Sequence, residues 1–140
     1  MTNVQANGNW TNAQCFTSLE GVSFAKTAGG AFFPLTLQNQ WANAPFSTRN
    51  AAVMHEQGII RLQGAIAGGA DAVAFNIPVG FRPPTTMYVT ADLCGAIKGR
   101  LKIFTNGDVR IQNSDGTFAS AQCFTSLEGA WFALTQPSLP

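Results

Sequence analysis

The sequence predicts an all-β protein, an antiparallel β-sandwich with a jelly-roll-like arrangement of strands. Apolar and polar residues alternate in short runs, and Gly, Pro, Asn or Asp interrupts these runs about every ten residues. Helical periodicity is almost absent, and only residues 51–58 (AAVMHEQG) have a pattern that would allow a turn or two of helix. The predicted strands are 59–66, 73–79, 86–92, 100–105, 108–113, 117–125 and 127–134.

Side-chain parity predicts the turn that follows Ile103. A two-residue loop would place Ile103 opposite Arg110 and mix apolar and charged side chains on one face. A three-residue loop at 105–107, with Gly107 in the left-handed conformation of a bulge, instead pairs Ile103 with Val109. The core face is then uniformly apolar, and its predicted pairs are Ile103 with Val109 and Leu101 with Ile111.

The same argument predicts a second three-residue loop at 114–116, which pairs Ile111 with Ala119 and Val109 with Ala121. The core face then continues through Cys123 and Leu127 to Trp131. On the opposite face Lys102 lies beside Arg110, a mild repulsion that a partner's carboxylate would relieve. Phenylalanines share that face, and because each buries about 150–250 Å² we expect a subunit interface, or a cover such as residues 28–46. The predicted interface residues are Phe104, Phe118, Phe124 and Trp10, the last by its alignment with Phe118 in a repeat.

That repeat is the nonapeptide AQCFTSLEG, which occurs at residues 13–21 and again at 121–129, an offset of 123 − 15 = 108 residues between the cysteines. An offset of this size matches a small domain rather than a solenoid repeat. We therefore predict tandem modules: residues 1–27 are a hairpin equivalent to the closing hairpin of a preceding module, 28–36 are a linker, and 37–140 form the sandwich. The alternative is one sandwich that contains both copies as pseudo-symmetric strands.

Composition excludes several classes of function. Charged residues make up 11% of the chain and the net charge is +1, so the clustered basic stripe that nucleic-acid binding requires is not expected. No apolar run is long enough for membrane insertion, and no signal peptide is visible at the N-terminus. The cysteines are odd in number and lack a CxxC spacing, so we expect free buried thiols in a reducing compartment, with neither a disulfide framework nor a zinc site. They are Cys15, Cys94 and Cys123.

Catalytic patterns are also missing, so no enzyme activity, metal or cofactor is predicted. His55 is the only histidine, no GxSxG motif accompanies it, and HEQGI lacks the second histidine of a zinc protease. Polysaccharide cleavage would need two facing carboxylates, and a pair of Glu56 with Asp71 or Asp92 remains the one open alternative.

Residues 33–134 resemble a domain of the distal tail-fibre and receptor-binding proteins of bacteriophages. The motifs that carry the resemblance are PLTLQNQW (34–41), GIIRLQGAI (58–66), NIPVGFRPP (76–84), IFTNGDVRI (103–111) and SLEGAWF (126–132). The resemblance implies a β-sandwich that assembles as a homotrimer at the tip of a tail fibre, made in the host cytoplasm and carried on the virion. It further implies non-enzymatic binding of a bacterial surface polysaccharide or glycoconjugate.

A glycan site needs exposed aromatic rings for stacking and polar side chains for hydrogen bonds to hydroxyls. Parity assigns Trp131 to the core. The predicted glycan-binding residues are Trp41, Arg49, His55 and Tyr88. The alternative function is a structural spacer or trimerisation module of a fibre, without a ligand of its own.

Overall fold

The computed structural model describes residues 10–19, 22, 24, 30–114 and 116–134. Within them the chain is almost entirely β-structure, and all strand pairs are antiparallel, which confirms the all-β sandwich. The strands are β1 (Phe33–Pro34), β2 (Ala42–Asn43), β3 (Ala52–Glu56), β4 (Ile59–Gln63), β5 (Ala65–Ala67), β6 (Val73–Asn76), β7 (Met87–Asp92), β8 (Lys98–Ile103), β9 (Asp108–Asn113), β10 (Thr125–Ser126) and β11 (Trp131–Ala133). Two short helices are α1 (Trp10–Cys15) and α2 (Ala119–Cys123), and single 3-10 turns lie at Pro45–Ser47 and Cys94–Ala96.

The strands form three sheets around one core. Their orders are β1-β3-β4-β11, β10-β5-β2 and β6-β9-β8-β7. In the last sheet, β7, β8 and β9 follow one another as hairpins and β6 lies beside β9, which is the order of a Greek key. The long connection of this Greek key is residues 77–86, which carry the NIPVGFRPP motif.

Parity predicted the β8–β9 turn correctly. Leu101 pairs with Ile111 and Ile103 pairs with Val109, as the three-residue loop requires. Gly107 has a φ of +94°, a left-handed conformation that glycine adopts without steric cost. A Cβ atom at Gly107 would also lie 2.5 Å from the Ile77 carbonyl oxygen, so the turn is packed against the 77–86 connection.

Arg82 of the NIPVGFRPP motif fixes that connection. Its Nε donates to the Ile77 carbonyl at 2.9 Å and its Nη2 donates to Asn76 Oδ1 at 3.0 Å. Asn76 in turn donates to Asp108 Oδ1 at 2.8 Å, at the start of β9. This motif arginine therefore links the end of β6 to the β8–β9 turn.

The predicted strand 117–125 was wrong. Residues 119–123 form α2, and only Thr125–Ser126 are extended, as β10. Val109 and Ile111 pair with β8 instead of Ala121 and Ala119, and Val109 also pairs with Phe75 of β6. Since a helix does not keep the two-residue period of a strand, Ala119 and Cys123 are exposed, while Ala121 and Leu127 are buried as predicted.

Trp131 was assigned to the wrong side for another reason, because a turn at 128–129 separates it from the buried Leu127 and breaks the alternation. Parity assigned the Trp131 side chain to the core, but this residue is 51% exposed, while its neighbours Ala130 and Phe132 are buried. Residues 51–58, the one segment with some helical pattern, were also assigned wrongly, because they form β3 and the turn into β4.

The core lies between the sheets and is built from the inward side chains of every main strand. Phe75, Leu101 and Ile103 come from the Greek-key sheet, and Ile60 and Phe132 come from the facing sheet. Burial of this apolar surface, about 25 cal/mol per Å², is the main stabilising contribution to the sandwich.

The expectation of free, buried cysteines was wrong. Cys94 and Cys123 form a disulfide, with their Cα atoms 5.7 Å apart, which ties α2 to the turn that follows β7. Cys15 is a free thiol, but it is exposed. Side-chain spacing did not indicate the pair because the partners lie 29 residues apart and meet only through the fold.

The predicted module boundaries stay a prediction. Within the predicted N-terminal hairpin 1–27, the described residues include the helix α1, and most of the rest lies outside the described residues. In the predicted linker 28–36, Phe33–Pro34 form β1, which pairs with β3. The Phe33 ring packs on Phe81 with centroids 5.5 Å apart.

Candidate functional site

The outer surface of the β6-β9-β8-β7 sheet carries the densest set of polar and aromatic side chains in the described part of the chain. Strand alternation turns Val89, Leu101 and Ile111 toward the core, so the residues between them face outward. We call this surface the cationic face, and it is formed by Tyr88, Thr90, Arg100, Lys102, Phe104, Arg110 and Gln112. The same alternation places Asp92 and Lys98 at one end of the face and Asp108 at the other.

Tyr88 organises the cations of neighbouring β8. The Arg100 guanidinium carbon lies 4.7 Å from the Tyr88 ring centroid, and Lys102 Nζ lies 5.5 Å from it. Lys102 Nζ also lies 4.8 Å from the Phe104 centroid. Cations over aromatic rings are attracted by about 0.5–1 kcal/mol at exposed sites, so these side chains are held on the face. Tyr88 remains 55% exposed, which leaves part of its surface open to a ligand.

A groove of about 510 Å³ continues from the cationic face to the end of the hairpins. Arg100 Nε donates to Gln112 Oε1 at 2.8 Å across this groove, which orients both side chains. Its lining residues are Thr90, Lys98, Gly99, Arg100, Gln112, Asn113 and Ser114. The lining combines hydroxyl, amide and guanidinium groups, which are the groups that hydrogen-bond sugar hydroxyls.

The charges of the cationic face are unbalanced. Lys102 lies directly opposite Arg110 in the β8–β9 register, and like charges so placed cost about 0.2–1 kcal/mol. Among the described residues, no carboxylate lies within ion-pairing distance of Arg100, Lys102 or Arg110.

The nearest acidic side chains already have partners. Asp92 Oδ1 accepts from Lys98 Nζ at 3.0 Å, at the far end of β7. Asp108 accepts from Asn76 at 2.8 Å and from Asn106 at 2.9 Å. The cationic face therefore concentrates positive charge on a chain whose net charge is only +1.

The four predicted glycan-binding residues do not lie together. Trp41 is 5% exposed, its indole N–H donates to the Asp71 carbonyl at 2.8 Å, and Phe118 packs edge-on against it, so it belongs to the core. Arg49 forms a two-bond ion pair with Glu128. His55 is exposed at the β3–β4 turn, where its Nε2 accepts from the Gly58 amide at 3.1 Å. Only Tyr88 lies on the cationic face, and glycan binding by any of the four stays a prediction.

The predicted interface residues do not share one sheet face either. Phe118 and Phe124 flank α2, while Phe104 follows β8. Phe118 packs against the buried Trp41, so its own chain covers part of it. Phe124 lies 6.1 Å from the Phe46 ring, and both line an apolar groove of about 460 Å³ beside Cys94. Trp10 belongs to α1. The geometric argument for a common face was wrong, and the interface itself stays a prediction.

Sequence reasoning missed several side chains that the fold places on the surface. Trp131 pairs with Arg61 across β11 and β4, on the outer side of the other sheet. Arg100 and Gln112 were not singled out, although alternation in β8 and β9 already placed them on the outer side. The alternation of inward and outward side chains in these two strands could have identified both residues, because the predicted three-residue turn sets their register.

The three carboxylates of the cleavage alternative lie in different parts of the fold. Glu56 ends β3, Asp92 ends β7 and is paired with Lys98, and Asp71 accepts from the Val73 amide at 2.8 Å. In the described residues, no three His, Cys, Asp or Glu side chains cluster as metal ligands would. None of the helices in this part of the chain has the length and hydropathy needed to cross a bilayer.

Comparison with solved structures finds one likeness. The chain is similar to the crystal structure of the receptor binding protein (gp15) of Listeria phage PSA, with a TM-score of 0.59 and 13% sequence identity over 77% of this chain and 67% of that chain. No protein-family model matches the sequence. No curated protein matches it either. At this identity the likeness shows the fold, and that fold is one used by a phage receptor-binding protein.

Proposed function

We propose that this chain is a non-enzymatic receptor-binding module of a phage tail fibre, which attaches the virion to a glycan on the host surface. The fold likeness to a phage receptor binding protein supports the class of protein. The observation that carries the proposal is the groove beside Tyr88, where an aromatic ring, a guanidinium and an amide meet on a rigid antiparallel sheet.

The geometry of this site suits a sugar better than a small apolar ligand. The groove is open and lined by polar side chains, and Arg100 and Gln112 are oriented by their mutual hydrogen bond. An oriented donor and acceptor lose little side-chain entropy when a hydroxyl binds. Specificity would then come from directional hydrogen bonds, and affinity from several such modules acting together.

We also propose that the module acts as a homotrimer. Phe46 is exposed and lies with Phe124 on the apolar groove beside Cys94, and this is the surface that a neighbouring subunit would best cover. Phe104, Phe118 and Trp10, the other predicted interface residues, are proposed to contribute to the same trimer interface. Three copies would present three glycan sites to a repetitive polysaccharide, which raises the apparent affinity without any new contact.

Binding to host cells and to a glycan array tests the function. The wild-type chain should bind, and Arg100→Ala should reduce binding at least fivefold, because it removes both the Gln112 hydrogen bond and the cation at Tyr88. Arg61→Ala on the other sheet is the matched control and should bind as the wild type does. A blank array together with blank cell pull-down would contradict the receptor-binding role and favour a structural spacer. A fall in the viscosity of host capsule on incubation would contradict the non-enzymatic part.

Equilibrium sedimentation tests the oligomer separately. We expect a trimer at micromolar concentration that Phe124→Ser weakens, and a monomer in the wild type would contradict the trimer.

A further inference from the structure

The positive charges of the cationic face also indicate the charge of the glycan that binds there. We infer that the ligand is an acidic glycan, whose carboxylate or phosphate groups contact Lys102 and Arg110 while its hydroxyls occupy the groove beside Arg100. This inference rests on the proposed function and specifies the chemical class of the receptor.

The first argument is the position of the charges. Four of the eight Lys and Arg residues of the chain lie on the adjacent strands β8 and β9. One of them, Lys98, is paired with Asp92 at the edge of the sheet. The remaining cations lie next to one another in the register, because Lys102 is opposite Arg110 and Arg100 is two residues before Lys102.

The second argument is that the described part of the fold does not neutralise them. Asp108, the acidic residue on β9, keeps its charge but is oriented by the neutral amides of Asn76 and Asn106, and it forms no ion pair with these cations. Antiparallel sheets normally place opposite charges across from each other, and like charges in that position destabilise the sheet. An anion between Lys102 and Arg110 removes this repulsion and gains charge-assisted hydrogen bonds from both.

The third argument is preorganisation. Lys102 lies between the Tyr88 and Phe104 rings, at 5.5 and 4.8 Å from their centroids, and Arg100 lies over Tyr88. Aromatic contacts hold these cations without supplying a counter-charge. Such cations are available to an external anion at a smaller entropic cost than freely rotating lysines would be.

Charge complementarity therefore favours an acidic sugar chain over a neutral one. Carboxylate and phosphate share this chemistry, and the test separates them. The probes are tetragalacturonate and its methyl ester, which differ only in charge, and phosphorylated oligomannose with unphosphorylated oligomannose. Binding of each is measured by calorimetry at low salt and at 1 M NaCl.

We expect the acidic member of at least one pair to bind tenfold or more tightly than its neutral partner at low salt. Screening at 1 M salt, where the Debye length is about 3 Å, should remove most of that difference. Lys102→Gln should lower the acidic preference at least threefold, and Lys102→Glu should abolish it. Arg61→Gln, which removes the same charge from the other sheet, should preserve it.

Lys102→Gln also has a readout that does not need a ligand. Removing the charge relieves repulsion with Arg110 but also loses the attraction to the Tyr88 and Phe104 rings. These are small contributions of opposite sign, so the variant should melt within about 4 °C of the wild type. Lower binding by Lys102→Gln therefore reports a lost contact rather than a lost fold.

The outcomes separate this inference from the proposed function. Equal binding of charged and neutral probes would overturn the acidic specificity and leave glycan binding in place. An acidic preference that Arg61→Gln reduces as much as Lys102→Gln would assign it to net charge and overturn the site. Binding of none of the four probes, with a positive glycan array, would overturn the acidic class alone. A blank array as well would overturn both.

Discussion

The contact between Arg49 and Glu128 allows a stability prediction that also tests what Arg49 is for. Glu128 Oε1 accepts from Arg49 Nε at 2.9 Å and from the Gly64 amide at 2.9 Å, and Oε2 accepts from Arg49 Nη2 at 2.7 Å. One carboxylate thus ties together the loop before β3, the β4–β5 junction and the segment between β10 and β11. We predict that Glu128→Ala destabilises the fold, whereas Arg49→Ala does so only slightly.

The magnitude follows from the exposure of the groups. The Arg49 and Glu128 side chains are 39% and 30% exposed, so their ion pair is worth about 0.2–1 kcal/mol. A hydrogen bond from an amide to a charged group contributes about 1.5–3 kcal/mol. Glu128→Ala removes both and should cost about 2–3 kcal/mol. For a domain of this size, about 4 °C of melting temperature corresponds to each kcal/mol, so we expect a shift of about 8–12 °C.

Thermal unfolding followed by circular dichroism measures these shifts, and the double variant completes a mutant cycle. Arg49→Ala should cost about 1–4 °C, and Glu56→Ala, an exposed acid at the end of β3, serves as the control with almost no shift. The reasoning is refuted if Glu128→Ala has the same melting temperature as the wild type. It is refuted in a second way if Arg49→Ala leaves stability unchanged but abolishes glycan binding, because Arg49 would then contact the ligand.

Three further changes test the fold. Gly107→Ala should destabilise it by about 1–3 kcal/mol in urea titration, because φ is +94° and the new Cβ would meet the Ile77 carbonyl oxygen at 2.5 Å; an unchanged midpoint would contradict the turn geometry. Replacing Cys94 and Cys123 by serine should lower stability by about 3–4 kcal/mol, since the bridge closes a 29-residue separation, and dithiothreitol should have the same effect on the wild type only. Deleting residues 1–27 should leave the melting temperature within about 2 °C, because none of the described residues in that range belongs to the core; a large drop would show that the segment packs on the sandwich.

The parts of the fold that the sequence predicted are those decided by local rules. The β8–β9 turn was correct because a period of two and one glycine leave a single loop length that keeps Ile103 opposite Val109. Such an argument needs no knowledge of distant contacts. It also placed Lys102 and Arg110 on one outer face, although only the structure shows that Tyr88 lies beside Lys102 and Arg100.

The parts that the sequence did not predict depend on long-range contacts. Residues 119–123 (ASAQC) alternate well enough to extend a strand, yet Ala and Gln also favour helix. Ala121 is the residue of the short α2 that is buried. Tertiary packing decided between the two, so Ala119 and Cys123 are exposed where a strand would bury them. Leu127 is buried as predicted, and the turn at 128–129 leaves Trp131 exposed. Trp41 and Arg49 were placed in the glycan site for the same reason, because their partners Asp71 and Glu128 lie 30 and 79 residues away.

The two copies of the nonapeptide separate what a segment specifies by itself from what its surroundings supply. The first three residues of each copy, AQC, end a short helix, α1 or α2. Leu127 is fully buried, and its amide donates to the Gly64 carbonyl at 2.9 Å, whereas the equivalent Leu19 is 59% exposed. The shared AQC is thus helical in both places, whereas the shared leucine is buried in only one of them. Burial of the leucine requires the β4–β5 junction, so a segment of this sequence completes a core only where such a junction lies beside it.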